Sequence, residues 1–388
     1  MSPHSPHVTS ARLADGRELI YFDDPGTGPR TPVPDARPLA GRAAPGHVRY
    51  DELSGDWVAV AAHRQSRTHL PPADACPLCP TTPANASEIP DPDYDVIVFE
   101  NRFPSLGPDA AELPAALPWG ETAPAVGRCE VVSFTSSHTG SFGELPYERA
   151  RTVVEAWSHR TAALSALPGV RQVFPFENRG AEIGVTLHHP HGQIYAYPYV
   201  TPRAAQLGAV ARRFYDDAGG RQTLLGSLLD RERSAGERMV LEGGAFSAYV
   251  PFAARWPLEV HLVPHRQVAD FAELTGAEKD ELAEVYLRLL RGLDALYDTP
   301  TPYIAAWHQA PLEASLRPAG RFHLQLTSPR RAADKLKFLA GSEAAMGAFI
   351  NDTTPEEVAA RLRAAVGAQP VRPVAAEPGA DLAGKAHA

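Results

Sequence analysis

The chain of 388 residues contains an internal repeat, which limits the folds that it can adopt. Residues 130–145 align without gaps on residues 259–274, at a constant offset of 129 residues. Glu, Val, Phe, Glu and Leu recur at five of the sixteen positions, where unrelated sequences would share roughly one. The repeat therefore predicts two halves of similar structure.

Each copy of the repeat has the pattern of a strand, a turn and an amphipathic helix. Apolar residues at helical spacing mark the helices, at Val154, Trp157, Thr161 and Leu164 in the first copy and at Leu282, Val285, Leu289, Leu293 and Leu296 in the second. Further strand-like runs follow each helix, at 172–178 and 189–199 and then at 303–308 and 322–327. Several strands with one long helix per half are typical of an α+β fold, in which helices cover an antiparallel sheet.

Composition changes at both ends of the chain. Residues 1–45 and 369–388 are rich in Pro, Gly and Ala and lack apolar periodicity, so we predict that both segments are flexible. The two halves would then span residues 46–200 and 201–368.

The overall composition excludes several classes of protein. An apolar content of 44% with 21% charged residues is typical of an ordinary globular protein. No apolar run is long enough to span a membrane and residues 1–15 lack the apolar core of a secretory signal, which predicts a cytoplasmic protein. The formal net charge of −9 argues against a nucleic-acid binder. Any phosphate site must be a local cluster of basic residues.

The segment His188-His189-Pro190-His191-Gly192-Gln193 carries the clearest indication of chemistry. Proline favours extended backbone in the residue before it, and glycine allows a ligand to approach closely. Because side chains alternate along a strand, His189, His191 and Gln193 should share one face. A histidine can attack phosphorus and later leave, while a glutamine amide donates to the phosphoryl oxygen that gains charge. The segment indicates covalent chemistry on a phosphate ester or anhydride, although a bare His-x-His pair is also typical of a metal site.

The three cysteines cannot all pair with one another. Cys76 and Cys79 are separated by two residues, and in a cytosolic chain this spacing favours a metal or redox role over a structural disulfide. We expect Cys129 to be a buried, small apolar side chain.

Many ordered motifs together identify a family. They are His47-Val48-Arg49-Tyr50, Ser54-Gly55-Asp56-Trp57, His63-Arg64-Gln65-Ser66-Arg67, Cys76-Pro77-Leu78-Cys79, Phe99-Glu100-Asn101-Arg102-Phe103-Pro104, Phe176-Glu177-Asn178-Arg179-Gly180, residues 184–193, Trp256-Pro257, Trp307-His308-Gln309-Ala310-Pro311 and Lys337-Phe338. With these motifs the chain resembles the galactose-1-phosphate uridylyltransferases of the histidine-triad superfamily, over about residues 47–363. The resemblance implies two fused histidine-triad-like halves, with an antiparallel half-barrel sheet and helices packed outside it.

The resemblance also implies a double-displacement reaction. UDP-glucose would transfer its uridylyl group to His191 and release glucose 1-phosphate, and galactose 1-phosphate would then take the group to give UDP-galactose. Gln193 stands where histidine-triad hydrolases have a third histidine. Because an amide cannot act as a general acid, Gln193 fits transfer between sugar phosphates better than hydrolysis. The family further implies a homodimer.

The site residues follow from the same resemblance. Cys76, Cys79, His138 and His189 would hold one structural zinc ion; the alternative is a redox-inert Cys pair in a loop, with His138 a surface histidine. Arg64 and Arg67, on a predicted turn after the strand 57–61, would bind phosphate together with Lys337. The remaining implied contacts are those of Asn101 and Asn178 with the uridine and its ribose, of Gly184, Val185 and Thr186 with the phosphate, and of Phe338 and Glu343 with the hexose.

The second half departs from the first. The gap-free alignment pairs His138 with Gln267, and the matching strands pair His189-Pro190-His191 with His323-Leu324-Gln325, so only the first half would keep a nucleophile. Characterised relatives often carry a second metal site made of one glutamate and three histidines. Here His308 and His323 remain, but Gln325 replaces one ligand and the segment around Leu207 offers no glutamate. We expect this second site to be empty.

Two alternative functions remain open. A nucleoside-diphosphate-sugar or dinucleoside-polyphosphate phosphorylase of the same superfamily would use the same nucleophile and glutamine. A zinc-stabilised binding module without catalysis is a candidate from a different class. The retention of both His191 and Gln193 argues against a mere binding role.

Overall fold

The computed structural model describes residues 5–39, 41, 46–66, 70–108, 113 and 119–370. These residues form sixteen strands and five α-helices. The strands are β1 (His7–Arg12), β2 (Glu18–Asp23), β3 (His47–Asp51), β4 (Asp56–Val60), β5 (Val96–Glu100), β6 (Thr122–Pro124), β7 (Arg128–Ser133), β8 (Gln172–Arg179), β9 (His191–Tyr197), β10 (Met239–Glu242), β11 (Phe246–Tyr249), β12 (Leu258–Pro264), β13 (Tyr303–His308), β14 (His323–Ser328), β15 (Arg330–Ala332) and β16 (Lys335–Leu336). The helices are α1 (Tyr147–Ser165), α2 (Pro202–Asp217), α3 (Leu224–Ala235), α4 (Gly276–Asp294) and α5 (Pro355–Gly367).

Eleven of the strands form one open sheet in the order β1-β2-β5-β7-β9-β8-β13-β14-β12-β11-β10. All neighbouring pairs in it are antiparallel. The first half of the chain supplies six of these strands and the second half five, and the halves meet where β8 pairs with β13. The α+β fold predicted from the sequence is confirmed. Two smaller sheets, β4-β3-β6 and the hairpin β15-β16, lie outside the main sheet.

The main hydrophobic core lies between one face of the large sheet and the helices α1, α4 and α5. Aromatic side chains occupy its centre: the Trp157 and Trp307 rings lie 5.6 Å apart, and Phe142 stacks on Trp157 at 5.7 Å. Burying such large apolar surfaces is the main stabilisation available to a sheet of this kind. The core packs on one face of the large sheet and stabilises it. The opposite face is free of these helices.

The predicted helices form as the periodicity indicated. Residues Val154, Trp157, Thr161 and Leu164 are buried on α1, and α4 begins at a capping box made by Thr275 and Glu278. Helix α4 ends at Asp294, so Leu296, predicted to be helical, lies just beyond its end and packs on the core. The offset of 129 residues holds for both ends of α1 and α4.

The strand pairings correct the alignment of the two halves. Gln193 lies between Val131 and Phe176 in the sheet, and Gln325 lies between His261 and Ala306 in the same way. Each glutamine is also the third residue of its strand, so Gln325 matches Gln193.

His323 begins β14 as His191 begins β9, and the Nδ1 of each ring bonds to the carbonyl oxygen two residues before it. By these two features His323 matches His191, where the sequence comparison had matched Gln325 with His191.

The N-terminal region is partly ordered, contrary to the prediction for residues 1–45. Strand β1 pairs with β2, and β2 pairs with β5 at the end of the large sheet. Tyr21 and Phe22 on β2 are fully buried. The prediction of flexibility is therefore wrong for residues 7–23, because β2 alternates apolar side chains between two packed faces. In the predicted flexible tail 369–388, residues 371–388 lie outside the described residues.

Across the described ranges, no helix combines the length and the apolar character that a membrane crossing requires. The predicted cytoplasmic location and the predicted boundaries of the two halves near residue 200 stay predictions.

Candidate active site

Strand β9 carries the predicted nucleophile on the face of the sheet opposite the main core. His191, Gln193 and Tyr195 line a cavity of about 340 Å³, whereas the intervening Ile194 and Ala196 belong to the core. The strand begins at His191. His189 lies in the bend before it, so the prediction that His189 shares the face of His191 and Gln193 is not met.

The His191 ring is held in one orientation and one tautomer. Its Nδ1–H donates to the His189 carbonyl oxygen over 2.7 Å, which leaves Nε2 as the nitrogen with a free lone pair. Burial lowers the pKa of His191, and this backbone hydrogen bond offsets only part of that decrease. The ring is thus neutral and oriented, as an attacking imidazole must be.

Gly192 is required by the packing behind the nucleophile. A Cβ atom at this position would lie 2.9 Å from both Phe134 Cζ and the Phe176 carbonyl oxygen. Substitution would therefore displace the strand that aims His191, which explains a glycine between His191 and Gln193 on physical grounds.

The cavity brings together most of the predicted substrate-binding residues. Its lining includes Arg64, Asn101, Asn178, Gly184, Val185, Thr186, His191 and Gln193. The Arg64 guanidinium lies 3.2 Å from Ser105 Oγ and 3.5 Å from the Tyr195 hydroxyl, and it follows β4 in a 3-10 turn, as predicted. Arg67 lies outside the described residues.

Three predicted substrate contacts are not at this cavity. Lys337, Phe338 and Glu343 are absent from its lining. The Lys337 amine is buried next to Glu343 at 3.3 Å, and Phe338 is 73% exposed. Within one chain the structure therefore separates the predicted hexose residues from the predicted nucleophile.

The sequence reasoning missed four aromatic residues and one carboxylate in the cavity wall. The aromatic residues are Phe99, Phe103, Phe176 and Tyr195, and the rings of Phe176 and Tyr195 lie 5.2 Å apart. Side chains alternate along β9, so the pattern that places His191 and Gln193 on one face also places Tyr195 there. This alternation could have identified Tyr195 from the sequence. Glu88 also lines the cavity, and its carboxylate lies 3.6 Å from Arg102. No local pattern marked Glu88.

Four predicted metal ligands lie together beside the nucleophile. The ligand atoms of Cys76, Cys79, His138 and His189 are all within 4.8 Å of one another. Cys79 Sγ is 3.4 Å from His138 Nδ1 and 3.6 Å from His189 Nδ1, and Cys76 Sγ is 3.8 Å from His189 Nδ1. Tetrahedral zinc would separate a sulfur and a nitrogen ligand by about 3.6 Å. The residues therefore fit zinc, and the alternative of a surface His138 in an unrelated loop is excluded.

The surroundings of these ligands favour a cation. Burial and the neighbouring Cys76 raise the pKa of Cys79 to about 12, and burial lowers the pKa of His189 to about 4. Cys76 is buried and Cys79 is partly buried, and two adjacent thiols in such surroundings ionise readily when a positive charge lies between them. The Cys76 loop is fixed by packing on the sheet, in a cluster with Leu78, Tyr21 and Phe99.

Hydrogen bonds orient His189 toward the cysteines. Its Nε2–H donates to the Thr135 carbonyl oxygen over 2.7 Å, and the Tyr94 hydroxyl lies 3.0 Å from the same nitrogen. Nδ1 is then the nitrogen left for a metal, as a second layer of hydrogen bonds usually ensures. Because the His189 carbonyl accepts from His191, one residue links the predicted metal ligands to the predicted nucleophile.

Comparison with known proteins agrees with this geometry. Residues 41–201 match the N-terminal domain of galactose-1-phosphate uridyl transferase, and residues 211–372 match its C-terminal domain. The chain belongs to the galactose-1-phosphate uridylyltransferase family. The family resemblance inferred from the motifs is confirmed.

Individual members of the galactose-1-phosphate uridylyltransferase family are similar over most of the chain. The enzyme named galactose-1-phosphate uridylyltransferase from Streptomyces lividans is 47% identical, over 92% of this chain and 97% of its own length. The protein of the same name from Thermotoga maritima is 39% identical, over 81% and 97%. A solved uridylyltransferase structure has a TM-score of 0.73 at 32% identity and covers 83% of this chain and 98% of that one.

Proposed function

We propose that this chain transfers a uridylyl group between UDP-glucose and galactose 1-phosphate through a covalent intermediate on His191. The observation that carries the proposal is the neutral His191 ring, pinned through Nδ1 to the His189 carbonyl at 2.7 Å, with Gln193 beside it in the cavity. Membership of the family supplies the substrate class.

The proposed reaction has two displacement steps at one phosphorus. His191 Nε2 attacks the α-phosphorus of UDP-glucose, the bond from phosphorus to the bridging oxygen breaks, and glucose 1-phosphate leaves with that oxygen and its electron pair. A phosphate oxygen of galactose 1-phosphate then attacks the uridylyl-histidine, the N–P bond breaks, and UDP-galactose leaves. The free imidazole is regenerated, so one site serves two similar substrates in turn.

The other cavity residues take roles that match their chemistry. The Gln193 amide donates to the nonbridging oxygen that gains charge in each step, and Arg64 supplies a fork of donors to the second phosphate. The backbone at Gly184, where φ is 82°, lets the chain approach the phosphate closely. Asn101 and Asn178 hold the nucleoside, and Val185 and Thr186 complete the phosphate wall.

We propose that zinc binds at Cys76, Cys79, His138 and His189. Two thiolates and two imidazoles leave no open position, so the ion would be structural. When bound, it would stiffen the bend that presents the His189 carbonyl to His191. The predicted absence of a second metal in the other half stays a prediction.

Metal analysis of the purified protein is expected to find about one zinc per chain, and Cys76→Ser is expected to loosen or remove it, because one of four ligands is lost. Cys129→Ser is the matched control, since Cys129 is a buried cysteine in a different cluster. Elemental analysis and thermal unfolding measure both variants. A fully active protein without metal would contradict the zinc proposal.

We further propose that the enzyme is a homodimer in which the second copy supplies Lys337, Phe338 and Glu343 to the cavity. These residues lie away from the cavity of their own chain. The same segment exposes a run of large apolar side chains: Phe338, Leu339, Met346 and Ile350. Such a patch is typical of a protein interface.

Mixing two inactive variants tests this arrangement. We expect His191→Ala and the double variant Lys337→Ala, Phe338→Ala to be inactive or nearly so alone, and to regain part of the wild-type activity when co-expressed. In the mixed dimer, the chain with Lys337→Ala and Phe338→Ala still supplies an intact His191, and the chain with His191→Ala still supplies an intact Lys337 segment. If sites are shared between copies, one site per dimer would contain both. Activity assays of the co-purified mixed dimer measure this. If each chain builds its own site, no activity returns.

A further inference from the structure

The second half contains a cavity at the place that corresponds to the nucleophile site of the first half. It measures about 400 Å³, against about 340 Å³ for the first. His261, His308, His323 and Gln325 line it from β12, β13 and β14, and α2 and α3 cover it. His323 and Gln325 are the first and third residues of β14, as His191 and Gln193 are of β9.

The His323 ring is held as His191 is. Its Nδ1–H donates to the Arg321 carbonyl oxygen over 2.9 Å, and its Nε2 accepts from the Gln325 amide over 3.2 Å. The ring stacks on His308 at 4.9 Å. Polar side chains therefore form the floor of the cavity.

Three arginines line this cavity: Arg203 at the start of α2, Arg255 before β12 and Arg321 before β14. The Arg321 guanidinium donates to Thr223 Oγ1 and to the carbonyl oxygens of Pro264 and His265. Burial and the nearby charge of Arg255 lower the pKa of Arg203, while Glu259 raises it. Among the described residues, neither Arg203 nor Arg255 forms an ion pair with a carboxylate.

The two acidic residues in the cavity wall have other partners. Glu259 accepts from the Arg255 backbone amide at 2.6 Å and lies 3.2 Å from His261 Nε2, and Glu232 pairs with Arg238 at 3.0 Å. Glu259 keeps its own negative charge, because its partners are a backbone amide and an imidazole. The three arginines outnumber it, which favours an anion.

The remaining wall is apolar with isolated hydrogen-bonding groups. Leu207, Leu225 and Phe252 form the apolar part. The Tyr249 hydroxyl, on a side chain only 2% exposed, has no hydrogen-bond partner in the described protein. A buried hydroxyl of this kind is costly unless a ligand pairs with it. An alkyl chain would leave the Tyr249 hydroxyl unpaired, whereas a ligand with a planar polar ring can pair with it.

We infer that the second half binds a nucleoside monophosphate noncovalently in this cavity, with the phosphate on Arg203 and Arg255 and the base and ribose against the apolar wall. The site is separate from the proposed transfer reaction. The volume exceeds that of the first cavity, and the lining combines guanidinium donors with apolar side chains, as a nucleotide site requires.

Equilibrium dialysis of labelled UMP against the full-length, zinc-loaded protein tests the inference. We expect two UMP molecules per wild-type chain and one per chain in the double variant Arg203→Ala, Arg255→Ala. Arg213→Ala is the matched control, because Arg213 is exposed on α2 and absent from the cavity lining. It should still bind two.

A second variant covers the case in which the arginine variant does not fold. Ala211→Trp keeps both arginines and fills the cavity from α2, and it is also expected to bind one UMP fewer than wild type. If the wild type binds one UMP and the arginine variant binds none, the inference of a second site is supported. The same result would show that UMP does not bind at the His191 site, which would contradict the proposed function. If neither variant binds less UMP than wild type, the inference is overturned.

Discussion

Replacement of His191 by alanine is expected to lower the rate of uridylyl transfer by at least about 10⁴-fold, which corresponds to about 5 kcal/mol or more of transition-state stabilisation. The covalent intermediate needs a nitrogen lone pair at this position. The ring's Nδ1 is committed to the His189 carbonyl, so Nε2 is the attacking atom. Steady-state transfer from UDP-glucose to galactose 1-phosphate measures the loss.

Two comparisons separate loss of the nucleophile from general damage to the segment. His188→Ala removes the exposed neighbouring histidine of the same motif and should retain most of the activity. His191→Gly leaves a space that added imidazole can fill, so part of the transfer should return with imidazole. Mass spectrometry should detect a uridylylated histidine in the wild type only. Near wild-type turnover in His191→Ala would end the assignment.

Replacement of Gln193 by alanine is expected to slow formation of the uridylyl-histidine and its reversal by about a hundredfold or more, roughly 3 kcal/mol. The Gln193 side chain lies on the same face of β9 as His191 and lines the same cavity. Its amide can stabilise the charged phosphoryl oxygen, which develops mainly in the transition state. Binding of UDP-glucose should change much less. Rapid-quench single-turnover experiments with labelled UDP-glucose measure the chemical step directly.

The variants of Gln193 distinguish donation from binding. Gln193→Glu has nearly the same shape but cannot donate when ionised, so it should be at least as slow as the alanine variant. Gln222→Ala, at an exposed glutamine of the second half, serves as the matched control and should transfer at the wild-type rate. If the intermediate forms at the unmodified rate in Gln193→Ala and only the KM rises, Gln193 is a binding residue and the donor role is wrong.

Much of the fold and the first site could be predicted from local pattern. Helical spacing identified α1 and α4, and alternation identified β8, β9, β13 and β14, because both signals depend on which side of an element faces the core. The motifs identified the metal ligands and most of the cavity lining. The prediction that the N-terminal segment is flexible was wrong for residues 7–23. Strand β2 is stabilised by pairing with the distant strand β5, and no local pattern reveals that pairing.

The sequence by itself determined that the chain has two related halves, an α+β fold, a set of Cys and His residues suited to a metal and a His-x-Gln pair in the first half. Only the tertiary structure showed where each strand begins and what each ring bonds to, because these depend on contacts between segments that are far apart in the chain. These features match His323 with His191, and the fold reveals the second cavity. Tertiary structure also separated Lys337, Phe338 and Glu343 from the nucleophile of their own chain, since proximity in space is set by packing of the whole sheet and not by the order of motifs.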